Sequence, residues 1–331
     1  LKPFWAEPAW TKRVRAQYSP PRYYYLCASV WNLETSPPHS MMRRLSLLML
    51  RARDGVHSRS CCLCTVPNNP NRLVALSNPD VESFTLQSKW SEGTDSCYLR
   101  FHAPGYTKVD GVKLVLDTPS EKGKAKSYSP TSPQSATGYF DLLVKSYPYQ
   151  QGGGFGHFLC NLQKGDVATM TIKKPREIHG SSQLTRRWRA IGMVAGGTGL
   201  APFVQIIRTC LDDPDDETEL RLLFINRREE DILMRTALDA LAATSPRFSV
   251  VYSLTQPPDD WTGNTGRGTS ELAKKAMPSA EGEVMVLVCG TDGFVETWAG
   301  AKLRENGEKL QGPVTGLLAQ AGFSEDKVYK Y

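Results

Sequence analysis

No apolar stretch approaches the roughly 20 residues that a helix needs to cross a bilayer. In the leader the longest run, Leu45 to Leu50, is already interrupted by Ser46. No transmembrane segment is therefore expected. Cysteine is sparse, 8 in 331 residues without regular spacing, which excludes a secreted disulfide scaffold and points to a reducing compartment. The one cluster, Cys61-Cys62-Leu63-Cys64, lacks the second CxxC or HxxxH that would complete a tetrahedral shell, so no metal is expected. A basic face on the body is missing too. The formal charge is +6, but residues 1–60 hold ten Lys/Arg against three acids, leaving thirty Lys/Arg and thirty-one acids for everything after. A body this close to neutral does not suit a nucleic-acid partner, whose phosphates demand concentrated positive charge.

The chain contains enough apolar material, 40% of residues, for two ordinary cores. Residues 1–71 read as a leader without sustained periodicity. From Met41 it carries Arg43, Arg44, Arg51, Arg53 and Arg59 between leucines, with Asp54 alone acidic. That composition suits a mitochondrial transit peptide. A basic tail with no address, and hence a cytoplasmic protein, is the other reading.

From 72 to 188 short strand-like runs alternate with turns: Phe84 to Leu86, Cys97 to Phe101, Val112 to Leu116, Tyr139 to Lys145 and Val167 to Ile172. Such spacing without long intervening helices predicts an antiparallel barrel. One helix interrupts it after Gly152 to Gly154, with Phe155, Phe158, Leu159 and Leu162 on a single stripe. From 189 to 331 the rhythm becomes strand, helix, strand, with Ile191 to Ala195, Leu220 to Ile225, Phe248 to Leu254 and Val284 to Val288 as buried strands. Helices are expected from Pro202 to Pro214 and from Glu230 to Ala243. The fold class is thus β followed by α/β, the second part a doubly wound parallel sheet.

Gly196-Gly197-Thr198-Gly199-Leu200-Ala201-Pro202 follows the first parallel strand directly. Glycines there let the backbone turn tightly and approach a pyrophosphate at the next helix N-terminus. The last glycine of the dinucleotide fingerprint is absent. Ile191 to Gly199 as a whole resembles the nicotinamide-binding start of the NADH-cytochrome b5 reductase family. Leu222 to Asn226 with Glu230 to Leu233, and Val286-Leu287-Val288-Cys289-Gly290, resemble two further stretches of that family in order. The resemblance implies an FAD-binding β-barrel followed by an NAD(P)H-binding domain. It makes Gly197, Thr198, Gly199, Pro202, Arg227, Arg228, Cys289 and Gly290 contacts of the nicotinamide dinucleotide, with Cys289 orienting the nicotinamide.

For the flavin, the family pattern Arg-x-Tyr-Ser/Thr is matched by Lys126-Ser127-Tyr128-Ser129. The resemblance places Tyr128 against the flavin and Ser129 near its reactive nitrogen. Val144, Lys145 and Tyr147 would serve the adenine and phosphates, and Gly153, Gly154, Phe155 and Gly156 would offer helix N-terminal amides to the FAD pyrophosphate. The implied activity is hydride transfer from NADH, with NADPH possible, to FAD and then single electrons to a haem protein such as cytochrome b5. An iron–sulfur acceptor is the enzymatic alternative. Lys126, Gly156 and Ala201 depart from the family pattern and motivate the remaining rival, a flavin-free nucleotide-binding scaffold. Because Lys126 offers a mobile point charge where arginine would grip phosphate bidentately, Lys126→Arg is expected to tighten FAD binding by about 1 kcal/mol. Equilibrium dialysis against FAD checks it, and unchanged retention would place Lys126 away from the phosphate.

Overall fold

The computed structural model describes residues 81–93, 95–116, 124–146, 154–305 and 308–331. The leader with its basic residues, the Cys61–Cys64 cluster, Gly152, Gly153 and Tyr147 lie outside the described residues.

The first half is a curled antiparallel sheet of β1 (Glu82–Glu92), β2 (Ser96–Thr107), β3 (Val112–Leu116), β4 (Lys124–Tyr128), β5 (Thr137–Lys145) and β6 (Val167–Ile172). Their order is β4-β3-β6-β1-β2-β5. An antiparallel bridge from Pro130, just past edge strand β4, to Leu142 on the opposite edge strand β5 brings the two edges together. Closure of this kind removes exposed edges. Alternate residues turn inward and fill the curl: Phe84, Leu86, Leu99, Phe101, Leu114, Phe140, Leu142 and Met170 are buried. Phe140 organises this core, edge-on to Phe84 at 5.2 Å and stacked on Phe101 at 5.4 Å between ring centroids. Helix α1 (Gly154–Asn161) packs on β5. Its stripe faces inward as expected, with Leu159 and the following Leu162 buried and Phe155 and Phe158 partly so.

The second half is a parallel sheet of β7 (Ala190–Gly196), β8 (Glu219–Asn226), β9 (Phe248–Leu254), β10 (Asn264–Thr265), β11 (Val284–Cys289) and β14 (Val328–Lys330), in the order β10-β9-β8-β7-β11-β14. A small hairpin of β12 (Leu303–Glu305) and β13 (Glu308–Leu310) stands apart. Strand β7 is buried nearly throughout, as a parallel strand covered on both faces must be. The sheet is crossed by α2 (Ala201–Asp212), α3 (Arg235–Thr244), α4 (Ser270–Ala276), α5 (Asp292–Ala299) and α6 (Gly316–Gln320). Chain order reverses between β7 and β11, so their carboxyl ends flank the crevice where such folds bind ligands.

One local expectation is corrected and one strand is added. The helix anticipated over 230–243 is split: a single turn covers Glu229–Asp231 and α3 starts only at Arg235. Between them Met234 adopts a left-handed conformation (φ 56°) while its N–H donates to the Glu92 carboxylate of β1 at 2.6 Å. A tertiary hydrogen bond thus overrides local helix propensity. Lys126 to Tyr128, absent from the strands anticipated by sequence, forms edge strand β4, pairing with β3 through Val112 opposite Tyr128.

Helix α2 is buried on more than its apolar stripe. Gln205 and Arg208 are also enclosed, and both reach into the antiparallel half. Gln205 donates to the Val109 and Ser132 carbonyls, each at 2.9 Å. Arg208 donates to the Thr131 carbonyl at 3.1 Å and to the Tyr98 hydroxyl at 3.2 Å, and lies 3.8 Å from Asp141. Asp141 is fully buried and accepts from both Nε and Nη2 of Arg100 (2.7 and 3.0 Å) and from Tyr98 (3.1 Å). The described residues accordingly form one compact unit. Removing one partner of a buried ion pair leaves uncompensated charge, so Asp141→Ala is expected to cost about 3–5 kcal/mol. Equilibrium urea unfolding measures it, and a loss below about 1 kcal/mol would contradict this account of the junction.

Candidate functional site

At the switch point the chain leaves β7 through Gly197 (φ 54°), Thr198, Gly199 and Leu200, a single tight turn that leads into α2. Pro202 lies in the first turn of that helix, where a missing N–H costs nothing. Gly199 is required by contact: a Cβ there would lie 2.1 Å from the Cys289 carbonyl oxygen and 2.8 Å from the Gly290 nitrogen. The structure therefore brings together Gly197, Thr198, Gly199, Pro202, Cys289 and Gly290, six of the positions singled out by sequence. The same turn packs against β5 of the antiparallel half.

Cys289 ends β11 and is partly exposed. Burial pushes its thiol up to about 11 against the opposing influence of Arg176 and Lys302. It is therefore a neutral thiol at physiological pH. Around it stand groups that the motifs did not flag. The Arg176 guanidinium lies 4.5 Å above the Tyr331 ring. Tyr331 donates its N–H to the Val288 carbonyl at 2.8 Å and stacks edge-on to Phe203 of α2 at 5.6 Å. Lys302 donates to the Tyr331 carbonyl. Burial, with Lys309 nearby, brings the Lys302 amine down to about 8. The basic run Lys173-Lys174-Pro175-Arg176 was a visible signal for Arg176. Lys302 had none, because only the fold brings it to β11.

Asn226 closes β8 and is 5% exposed, yet among the described residues neither atom of its amide has a hydrogen-bond partner. Ile225 pairs with Gly196, so Asn226 stands at the same carboxyl edge as the glycine turn. A buried amide with nothing to bond fits a polar ligand at this edge. Arg227 donates to Gln256 at 2.8 Å, and Arg228 is an exposed partner of Glu230 at 3.5 Å with its N–H on Asp231 at 3.1 Å. Both arginines lie on the expected rim and are held there by neighbouring side chains.

In the antiparallel half Lys126 is exposed on β4, its ammonium 5.8 Å from the Tyr128 ring. Tyr128 packs against the core, and Ser129 is half-buried beside the Pro130 bridge. On β5 Val144 is buried, while Lys145 pairs with Asp95 at 3.0 Å. Gly154, Phe155 and Gly156 open α1, Gly154 at φ 58°. Their amides are orphan donors of a helix start, which suits a pyrophosphate.

Comparison with known proteins gives the same division. Residues 83–176 match the oxidoreductase FAD-binding domain and residues 193–299 the oxidoreductase NAD-binding domain. The chain is an FAD- and NAD-binding oxidoreductase. It is 36% identical over 241 residues to NADH-cytochrome b5 reductase 2 of Coccidioides immitis, covering 70% of this chain and 71% of that protein. It is 33% identical over 236 residues to an NADH-cytochrome b5 reductase-like protein of Arabidopsis thaliana, covering 71% of this chain and 66% of that one. The chain belongs to the NADH-cytochrome b5 reductase family. Its fold matches the CS-b5R domains of human Ncb5or (TM-score 0.61, 23% identity, 76% of this chain and 69% of that one). It also matches the cytochrome b5 reductase domain of Ulva prolifera nitrate reductase (TM-score 0.59, 23% identity, 76% and 97%).

Because Cys289 sits at the strand end beside the nucleotide turn and not at α1 or β4, Cys289→Ser is expected to retain FAD but to slow its reduction by NADH on the order of tenfold or more. Stopped-flow absorbance at the flavin bands reads this. Unchanged reduction would remove Cys289 from the hydride-transfer site.

Proposed function

We propose that this protein oxidises NADH and passes the electrons singly to a haem protein of the cytochrome b5 type. FAD supplies the chemistry that no side chain has, accepting a hydride and releasing electrons one at a time. The observation that carries the reading is the convergence at the switch point: Gly197–Gly199 and Cys289–Gly290 in contact, with Arg176 brought to them from the antiparallel half.

Each residue then has a task. The Gly197–Gly199 turn and the start of α2 receive the pyrophosphate of the nicotinamide dinucleotide on backbone amides. Asn226 bonds the polar edge of the nucleotide. Cys289, a neutral thiol, lines the nicotinamide and fixes its distance without adding charge. Arg176 and Lys302 bring positive charge to the same corner, favouring an anionic ligand. Lys126, Tyr128 and Ser129 hold the flavin side, and the opening amides of α1 hold its pyrophosphate. The Arg-rich stretch from Arg43 to Arg59 supports delivery to mitochondria.

Donor preference rests on the rim of β8. Thr255, whose N–H donates to the Asn226 carbonyl at 3.0 Å, stands where the family resemblance implies an aspartate that would repel the 2′-phosphate of NADPH. Arg227, with its Nε on Gln256, and Arg228, paired with Glu230, are already partly engaged by neighbours that compete with that phosphate. The outcome is a preference for NADH of about tenfold or less, equivalent to about 1.4 kcal/mol. Steady-state kcat/KM for both donors, with ferricyanide and with a cytochrome b5 as acceptors, tests the function and the preference together. A protein with FAD added that oxidises neither donor would refute the reading. A thousandfold preference for NADH would show that some group other than an aspartate at 255 excludes the phosphate.

A further inference from the structure

Away from the nicotinamide corner, two cysteines more than sixty positions apart in sequence meet on the flank of the antiparallel half. Cys97 lies on β2 directly opposite Val144 of β5. Cys160, in the last turn of α1, donates its thiol to the Val144 carbonyl at 3.6 Å. The helix residue thus lands on the strand position facing Cys97, whose sulfur is 4.0 Å from the Cys160 carbonyl oxygen and within hydrogen-bonding reach of the Cys160 thiol. Lys89 of β1 stands over both, donating to the Cys160 and Leu162 carbonyls at 2.9 Å each. Both cysteines pack against the core yet keep part of their surface exposed.

We propose that Cys97 and Cys160 are an oxidisable dithiol, converted by peroxide-class oxidants into a disulfide that ties β2 to the end of α1. The inference concerns a surface separate from the nicotinamide corner and does not depend on the proposed function. The two thiols are unequal. The hydrogen bond from Cys160 and the Lys89 ammonium bring Cys97 down to about 7, whereas Cys160 is pushed well above the usual thiol range by its neighbour Cys97 and by burial. Asp95, which pairs with Lys145, faces Cys160 and adds to its upward shift. Cys97 is therefore the nucleophile and Cys160 the resolving thiol. The other described cysteines lack this arrangement: Cys210 is fully buried and pushed well up, and Cys289 is pushed up to about 11.

The chemistry balances. The Cys97 thiolate attacks one peroxide oxygen, the O–O bond breaks, and a sulfenic acid forms while the departing hydroxide takes up a proton as water. The Cys160 sulfur then attacks the Cys97 sulfur, gives up its proton, and expels the sulfenic hydroxyl as a second water. The two sulfurs lose two electrons in all, and these reduce the peroxide. A thiol reductant reverses the step.

The test uses the full chain, loaded with FAD and treated with about one equivalent of hydrogen peroxide per chain. Remaining thiols are alkylated, and peptides are mapped by mass spectrometry without reduction. The expected product is a Cys97–Cys160 linked peptide that disappears with dithiothreitol. In Cys160→Ser the reaction should stop at a sulfenic acid trapped by dimedone on Cys97. The rate of Cys97 alkylation in that variant's parent should fall about a hundredfold between pH 9 and pH 5, following the thiolate fraction. Recovery of both residues alkylated while other cysteines oxidise would overturn the proposal. So would a Cys97 disulfide with Cys27, Cys61, Cys62 or Cys64, or dimedone trapping on Cys160 in Cys97→Ser.

Discussion

The grip of helix α2 on the antiparallel half is the constraint on which the rest depends. Two side chains from one face of that helix, Gln205 and Arg208, cross to carbonyls and hydroxyls of the other half, and Arg208 meets a carboxylate, Asp141, already held by Arg100 and Tyr98. Tyr98 is driven well above the usual phenol range by burial and by Asp141, so it stays a neutral donor to the carboxylate. Such a network is costly to assemble and more costly to break in part. Since α2 starts at the nucleotide turn, the same helix fixes that turn relative to β5. Strand ends, turn and flavin-side strand are thereby set in one frame.

Within that frame the carboxyl ends of β7 and β11 act as a single corner. The contact of Gly199 with the Cys289 carbonyl leaves no room for a side chain, so the dinucleotide turn packs backbone to backbone against the Cys289 strand end, which the sheet already pairs with Ala195 of β7. Arg176, Lys302 and Tyr331 enclose this corner from three separate parts of the chain. The charges of Arg176 and Lys302 favour an anionic ligand, and the burial of Cys289 itself keeps its thiol uncharged against their influence.

How much of this was legible in sequence depended on how local the cause was. Strands with alternating or continuous apolar residues were placed closely, because side-chain periodicity is dictated by the strand itself: Val112 to Leu116 and Phe248 to Leu254 match their observed bounds. The glycine turn was legible because close backbone approach leaves a residue-type signature, and Cys289-Gly290 through the family resemblance. Strand β4 was not, since Lys-Ala-Lys-Ser-Tyr on an edge is polar and carries no burial pattern. The break before α3 came from Glu92, more than a hundred residues earlier. Gln205 and Arg208 look like the solvated side of an amphipathic helix until a second half covers them. Tertiary partners of this kind leave no trace in local pattern, and Lys302 and Tyr331 were missed for the same reason.

The central claim, that one frame brings nicotinamide and flavin together for hydride transfer and single-electron release, is tested most directly by an anaerobic double-mixing experiment. The FAD-loaded chain is mixed first with NADH and then with oxidised cytochrome b5. The account predicts loss of flavin absorbance in the first mix and reduction of two haems per NADH in the second. A flavin spectrum that is unchanged by NADH would contradict it.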